Sequence, residues 1–151
     1  MRIATLDPFR GYKNAIDDQL EDATTVLDAF HIVKLAGEVP GEVRRRVRQD
    51  TTGDRGRKGD PLYQIRLLLC ASRDRLTKRQ QERLRAAFTT DEAHISVEVA
   101  YHCAQQVRDV FHQDTSAYGR HLAARLIECL LTCPIPEIAR LGRTLRKWKD
   151  A

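Results

Sequence analysis

The residues with the clearest chemical potential in this chain are two aspartates and a histidine near its beginning. Asp7 stands directly before Pro8, and Asp28 stands three residues before His31. Carboxylates are hard oxygen donors suited to divalent ions such as Mg²⁺. A histidine beside them can hydrogen-bond at the border of such a site and order it. A second group lies near the other end. Arg140, Arg143 and Lys147 recur at helical spacing, with Arg146 and Lys149 adding charge. Such a stripe either contacts a phosphate backbone or is the solvated face of an amphipathic helix. Four cysteines, Cys70, Cys103, Cys129 and Cys133, contain no zinc-type C-x-x-C pair and read as reduced, small core residues.

Secondary-structure elements must position these groups. Arg2 to Leu6 is a β-compatible run stopped by Pro8, which cannot donate to a sheet ladder. Phe9, Tyr12, Ile16 and Leu20 fall at helical spacing, and Thr24 to Asp28 is a second β-branched run. Strand, helix and strand in that order predict a right-handed βαβ unit with parallel strands. Both strands would then end in a carboxylate, at the sheet edge where ligands gather in open α/β folds.

From about residue 39 the pattern is helical. Val39 to Gln49 reads as a basic helix opened by Gly37 to Gly41, and Thr51 to Pro61 as a loop. Leu62, Ile65, Leu68 and Leu69 form a buried apolar segment. Thr77 with Gln80 is a capping box for a helix to about Phe88. A long helix follows from Thr90-Asp91 to about His112, with Ile95, Val99, Cys103, Val107 and Val110 on one stripe. Ser116 opens another, and Pro136 sits in the first turn of the last. There Ile138, Leu141, Leu145 and Trp148 form an apolar stripe beside the basic one.

The 151 residues suffice for a compact domain, and 42% hydrophobic with 31% charged residues argue for a folded chain rather than a disordered one. Charge is unevenly placed: residues 1–39 hold four Lys/Arg against seven Asp/Glu, and residues 40–151 hold 22 against 14. An acidic beginning and a basic remainder suggest two regions with different tasks, the second suited to a polyanion. No apolar run approaches the roughly 20 residues of a membrane span. The first eight residues include Asp7 and lack an apolar signal segment, so a cytoplasmic location and no membrane partner are expected.

The segment Asp28-Ala29-Phe30-His31-Ile32-Val33-Lys34 resembles the D-x-F-H-v-v-K segment of the ISL3-type DDE transposases of bacterial insertion sequences. Asp7 to Tyr12 is similar to their upstream Asp-x-x-x-x-Tyr segment. Gly56 to Tyr63, Leu76 to Gln80, and Ile135 to Leu145 also match, in order along nearly the whole chain. The resemblance implies an RNase H-like fold carrying a helical insertion, with residues 1–36 a partial α/β unit and 37–151 the insertion. It implies DNA cleavage and strand transfer at insertion-sequence ends, by an Asp-Asp-Glu triad holding two Mg²⁺ (or Mn²⁺) ions that activate the attacking oxygen and stabilise the leaving one. Asp7 then corresponds to the second Asp and is the catalytic metal ligand, with Asp28 as the alternative; Asp28 and His31 border the site.

No residue of this chain matches the motifs of the first Asp or of the final Glu. The expectation is an internal piece of a transposase that binds metal weakly and does not cut DNA alone. Expected partners are DNA, through Arg140, Arg143 and Lys147, and a transposase oligomer. A small basic DNA-binding or transposase-interacting regulator is the alternative, and a helical interaction module without a DNA role is a third reading.

Overall fold

A computed structural model describes residues 21–53, 58–111 and 116–150. The elements are α1 (Glu21–Thr52), α2 (Pro61–Gln64), α3 (Lys78–Thr89), α4 (Ile95–Val110), α5 (Ser116–Leu131) and α6 (Pro136–Asp150). Short 3₁₀ turns at Leu68–Cys70, Arg73–Arg75 and Glu92–His94 join them. The first strand, Arg2 to Leu6, the helix Phe9 to Leu20 and Asp7 itself lie outside the described residues.

The second expected strand is overturned. Thr24 to Asp28 belongs to α1, and no strand occurs among the described residues, so the partial RNase H-like βαβ unit is not supported. β-branched residues lower helix propensity by only about 0.5 kcal/mol each. Continuing an established helix adds a hydrogen bond for each residue fixed, so a short β-prone run yields to the helix that follows it.

That helix is also longer than the sequence pattern suggested. It runs without interruption through Gly37, Pro40 and Gly41. An interior proline costs about 3 kcal/mol, because it removes a hydrogen bond and crowds the preceding turn. Ile32, Ala36, Val39, Val43 and Val47 are all buried, on both sides of Pro40. Each larger side chain of that stripe contributes about 1.5–3 kcal/mol on burial. The stripe together outweighs the proline.

The core lies where α1 packs on α4, with α5 and α6 paired alongside and α6 also resting on α1. On α4 the buried face is Val97, Ala100, Tyr101, Ala104 and Val107. This differs from the expected stripe: Ile95 is 55% exposed. Ala100 and Ala104 have no bulk beyond Cβ and share this buried face with Val97, Tyr101 and Val107, while Val99 and Cys103 of the expected stripe are half-buried against the core. Where α6 crosses the end of α5, a Cβ on Gly142 would stand 2.9 Å from the Leu130 Cβ and 3.0 Å from the Leu131 nitrogen. Glycine permits that approach.

Two buried polar side chains tie the connections down. Gln105 accepts from the Arg73 N–H at 3.0 Å and donates to the Ala71 carbonyl at 3.1 Å, fixing the segment that precedes α3. His94 Nδ1 lies 2.8 Å from the Ala87 carbonyl. A carbonyl only accepts, so the ring must carry its proton on Nδ1 there. The capping box forms as expected, with Gln80 N–H donating to Thr77 Oγ1 at 3.2 Å and Thr77 N–H donating to Gln80 Oε1 at 2.9 Å.

Candidate nucleic-acid interface

α6 is positioned by its apolar stripe. Ile138, Leu141 and Leu145 are buried, and Trp148 meets Phe111 edge-on at a ring separation of 5.1 Å. The opposite face is therefore directed outward, and Arg143, Arg146, Lys147 and Lys149 are exposed. Lys147 and Lys149 also lie in the last turn, where cations are favoured by the helix dipole.

The sequence-predicted trio is not uniform. Arg140 is an ion-pair partner of Glu42 on α1, whereas Arg143 and Lys147 continue the stripe one and two turns further along. Just before Arg140, Glu137 receives a two-pronged contact from Arg46: Nε donates to Oε2 at 2.7 Å and Nη2 to Oε1 at 3.0 Å. Burial works to raise the Glu137 carboxyl, but the Arg46 hydrogen bond and charge prevail, so it lies below the ordinary carboxylate value. The same hydrogen bond raises Arg46 above the ordinary guanidinium value. These two pairs fasten α6 to α1 and hold the exposed cations in place.

A second basic group was not expected. Asp60 caps α2 by accepting from the Leu62 N–H at 3.0 Å, and its other oxygen is 2.5 Å from Arg48 Nε. The cap fixes Tyr63, whose ring carries Arg66 at 3.9 Å and Arg44 at 5.9 Å. Arg66 is further held by donating to the Tyr63 carbonyl at 2.9 Å, and Arg83 reaches from α3 to the Gln64 carbonyl at 3.3 Å. Beside them opens a basin of about 590 Å³ lined by Lys58, Tyr63, Gln64, Arg66 and Arg83. Leu62, Ile65 and Leu69 are buried as expected and Leu68 is half-buried against the core, while Tyr63, Gln64 and Arg66 line the basin. The signal in the sequence was Lys58, Tyr63 and Arg66, a basic and aromatic interleaving masked by the stronger apolar pattern.

The acidic candidates are placed only in part. Asp28 and His31 lie three residues apart on α1, and His31 is exposed beside Phe30, which is 69% exposed. Asp7 lies outside the described residues. Among the described residues, no three His, Cys, Asp or Glu side chains gather as metal ligands. The cysteines are free; Cys70 and Cys129 are exposed, contrary to the expectation of core positions, while Cys103 and Cys133 are half-buried. Burial, and then the neighbouring Cys133 and Cys129, push the Cys103 thiol up to about 11. No helix among the described residues is long and apolar enough to cross a membrane.

Comparison with known proteins gave one informative result. The family model of the ISL3-type DDE enzymes, described as transposase, matches residues 1–151. No curated protein and no solved structure matches the chain. The match covers the whole sequence and agrees with the ordered motifs at Asp7, Asp28-x-x-His31, Gly56 to Tyr63 and Ile135 to Leu145: the chain belongs to the ISL3-type DDE transposase family.

Proposed function

We propose that this chain serves DNA transposition, with its helical body as the part that holds DNA and its acidic beginning as part of the catalytic side. The family match over residues 1–151 carries this reading. The net excess of basic residues after residue 39, and the outward face of α6, support it physically. Arg143 and Lys147 are the α6 contacts to phosphate, with Arg140 joining them when it leaves Glu42. Each cation that neutralises a phosphate releases condensed counterions, so binding should weaken steeply as salt rises.

On the catalytic side the proposal keeps Asp7 as a ligand for Mg²⁺ or Mn²⁺, Asp28 as its alternative, and Asp28 with His31 at the border. Ions held there would supply activation of the attacking oxygen and stabilisation of the leaving one. Only one acid of the triad has a motif match in residues 1–151, so this stretch alone should not cleave DNA. The test is a pair of assays on duplexes that carry insertion-sequence ends. Binding at low salt that declines linearly on a log–log salt plot supports the reading, and no binding at low salt would overturn it. Mg²⁺-dependent cleavage by the chain that disappears in Asp7→Ala would keep the family role but overturn the expected inactivity.

A further inference from the structure

The basin beside Tyr63 is built differently from an ordinary solvated basic surface. Three cations, Lys58, Arg66 and Arg83, line it together with Tyr63 and Gln64, and among the described residues no carboxylate does. The nearest capping acid, Asp60, is buried and turned toward Arg48 and the α2 backbone. Among the described residues, no carboxylate forms an ion pair with Lys58, Arg66 or Arg83.

The two arginines are also partly immobilised before any ligand arrives. Arg66 sits over the Tyr63 ring and uses one terminal nitrogen on the Tyr63 carbonyl. Arg83 is anchored at the Gln64 carbonyl. A guanidinium has five N–H donors in a fixed fork, so one anchoring bond leaves the others for a second acceptor. Ordering a long side chain in advance removes part of the entropy cost of binding. Arg44, 5.9 Å from the ring centroid, is held below the ordinary guanidinium value by burial first and then by the charge of Arg45, with Asp60 opposing and Arg66 adding to the lowering. Like charges are crowded here, and an anion would relieve the crowding.

The geometry points to a second phosphate-contacting site, in which Lys58, Arg66 and Arg83 grip the sugar–phosphate backbone of duplex DNA beside Tyr63, separately from α6. This rests on the DNA-holding reading above. Two guanidinium groups stand near the Tyr63 ring, and the lining offers donors for phosphate oxygens. The contact is therefore one of backbone positioning, without readout of base identity.

The experiment is a titration of the full chain with a short duplex of arbitrary sequence, followed by fluorescence anisotropy over a range of salt. The variant is Lys58→Gln with Arg83→Gln, two exposed residues whose loss leaves the Asp60 cap and the core intact. It should bind roughly tenfold more weakly at low salt, with the log–log salt slope shallower by about two contacts. The loss should be equal on unrelated sequences. Circular dichroism and the thermal midpoint should match the parent chain, and Lys58→Arg with Arg83→Lys should recover most of the slope. If the parent chain binds and the Gln variant keeps its affinity and slope, this site is refuted while the DNA-holding reading stands. If the parent chain does not bind at low salt, the parent reading fails. Inorganic phosphate is the control ligand: saturation at the basin in a competition assay, with DNA affinity unaltered by the Gln variant, would make this a small-anion site and overturn the duplex proposal.

Discussion

Two basic surfaces of this molecule use their arginines in opposite ways. At the seam of α1 and α6, Arg46 and Arg140 face Glu137 and Glu42 across helices remote in sequence. At the Tyr63 basin, Arg66 and Arg83 face a ring and two backbone carbonyls. The first arrangement neutralises charge and fastens elements; the second orders charge without neutralising it. Counting Lys and Arg along the sequence cannot distinguish these uses. A polyanion competes with a carboxylate at the seam but not with a carbonyl at the basin, whose oxygen leaves the guanidinium its full positive charge.

The sharpest break of this comparison lies at Asp60, the acid that caps α2 beneath the basin. Asp60→Ala removes the cap of α2 and leaves Arg48 half-enclosed without its carboxylate. A loss of about 3 kcal/mol is expected, from a helix cap together with a disrupted buried ion pair. A urea midpoint that falls at unchanged slope would register it; an unaltered midpoint would show that the basin needs no internal acid.

Where α6 crosses α5, beside the α1–α6 seam, Gly142→Ala should destabilise by about 1–2 kcal/mol, because overpacking against Leu130 and the Leu131 backbone exceeds the gain in helix propensity. Thermal unfolding would check this, and a stabilised variant would show that α6 can move away from α5 at little cost.

Glu137→Gln should cost about 1–2 kcal/mol near neutral pH, within the range for a charge-assisted hydrogen bond. Its sign with pH follows from the depressed carboxyl. The carboxylate contributes fully above the unfolded-state value of about 4.3 and loses its contribution as pH falls through the lower folded-state value. The parent chain should therefore lose stability on acidification more steeply than Glu137→Gln. Parallel acid limbs in the two proteins would mean that the Arg46 contact is not formed in solution.

The smallest stability effect is expected at Glu42. The Arg140–Glu42 pair is largely exposed, with side-chain exposures of 55% and 31%, and such pairs contribute about 0–1 kcal/mol. Glu42→Gln should nevertheless tighten DNA binding and steepen its salt slope by about one contact, because Arg140 is released to join Arg143 and Lys147. An unchanged slope would assign Arg140 to fastening alone.

Features governed by neighbouring residues were legible in the sequence. The Thr77–Gln80 capping box, the start of α6 at Pro136 and the burial of Ile138, Leu141 and Leu145 all depend on contacts or periodicity within a few turns. The expectation for Thr24 to Asp28 failed because a short β-prone run was weighed without the helix that follows it, and that for Gly37 to Gly41 because propensity was weighed without the buried stripe on both sides of Pro40. The face of α4 was misjudged for a related reason: periodicity finds an apolar stripe, but the partner helix decides which neighbouring stripe is buried, here Val97, Ala100, Tyr101, Ala104 and Val107. Of the candidate site, Arg143 and Lys147 were legible as an outward stripe, and the Tyr63 basin was not, since Arg83 reaches it from a different helix.

By itself, the sequence determined the helical character of the region after residue 39, the local caps, the basic excess and the ordered motifs that mark a transposase. Those properties are set by residue type and short spacing. Only the tertiary structure decided which positive charges meet acids, which rest on an aromatic ring, and that α1 continues through Pro40. Each of those outcomes is a balance between a local preference and groups distant in the chain, and the distant groups are brought together only by packing.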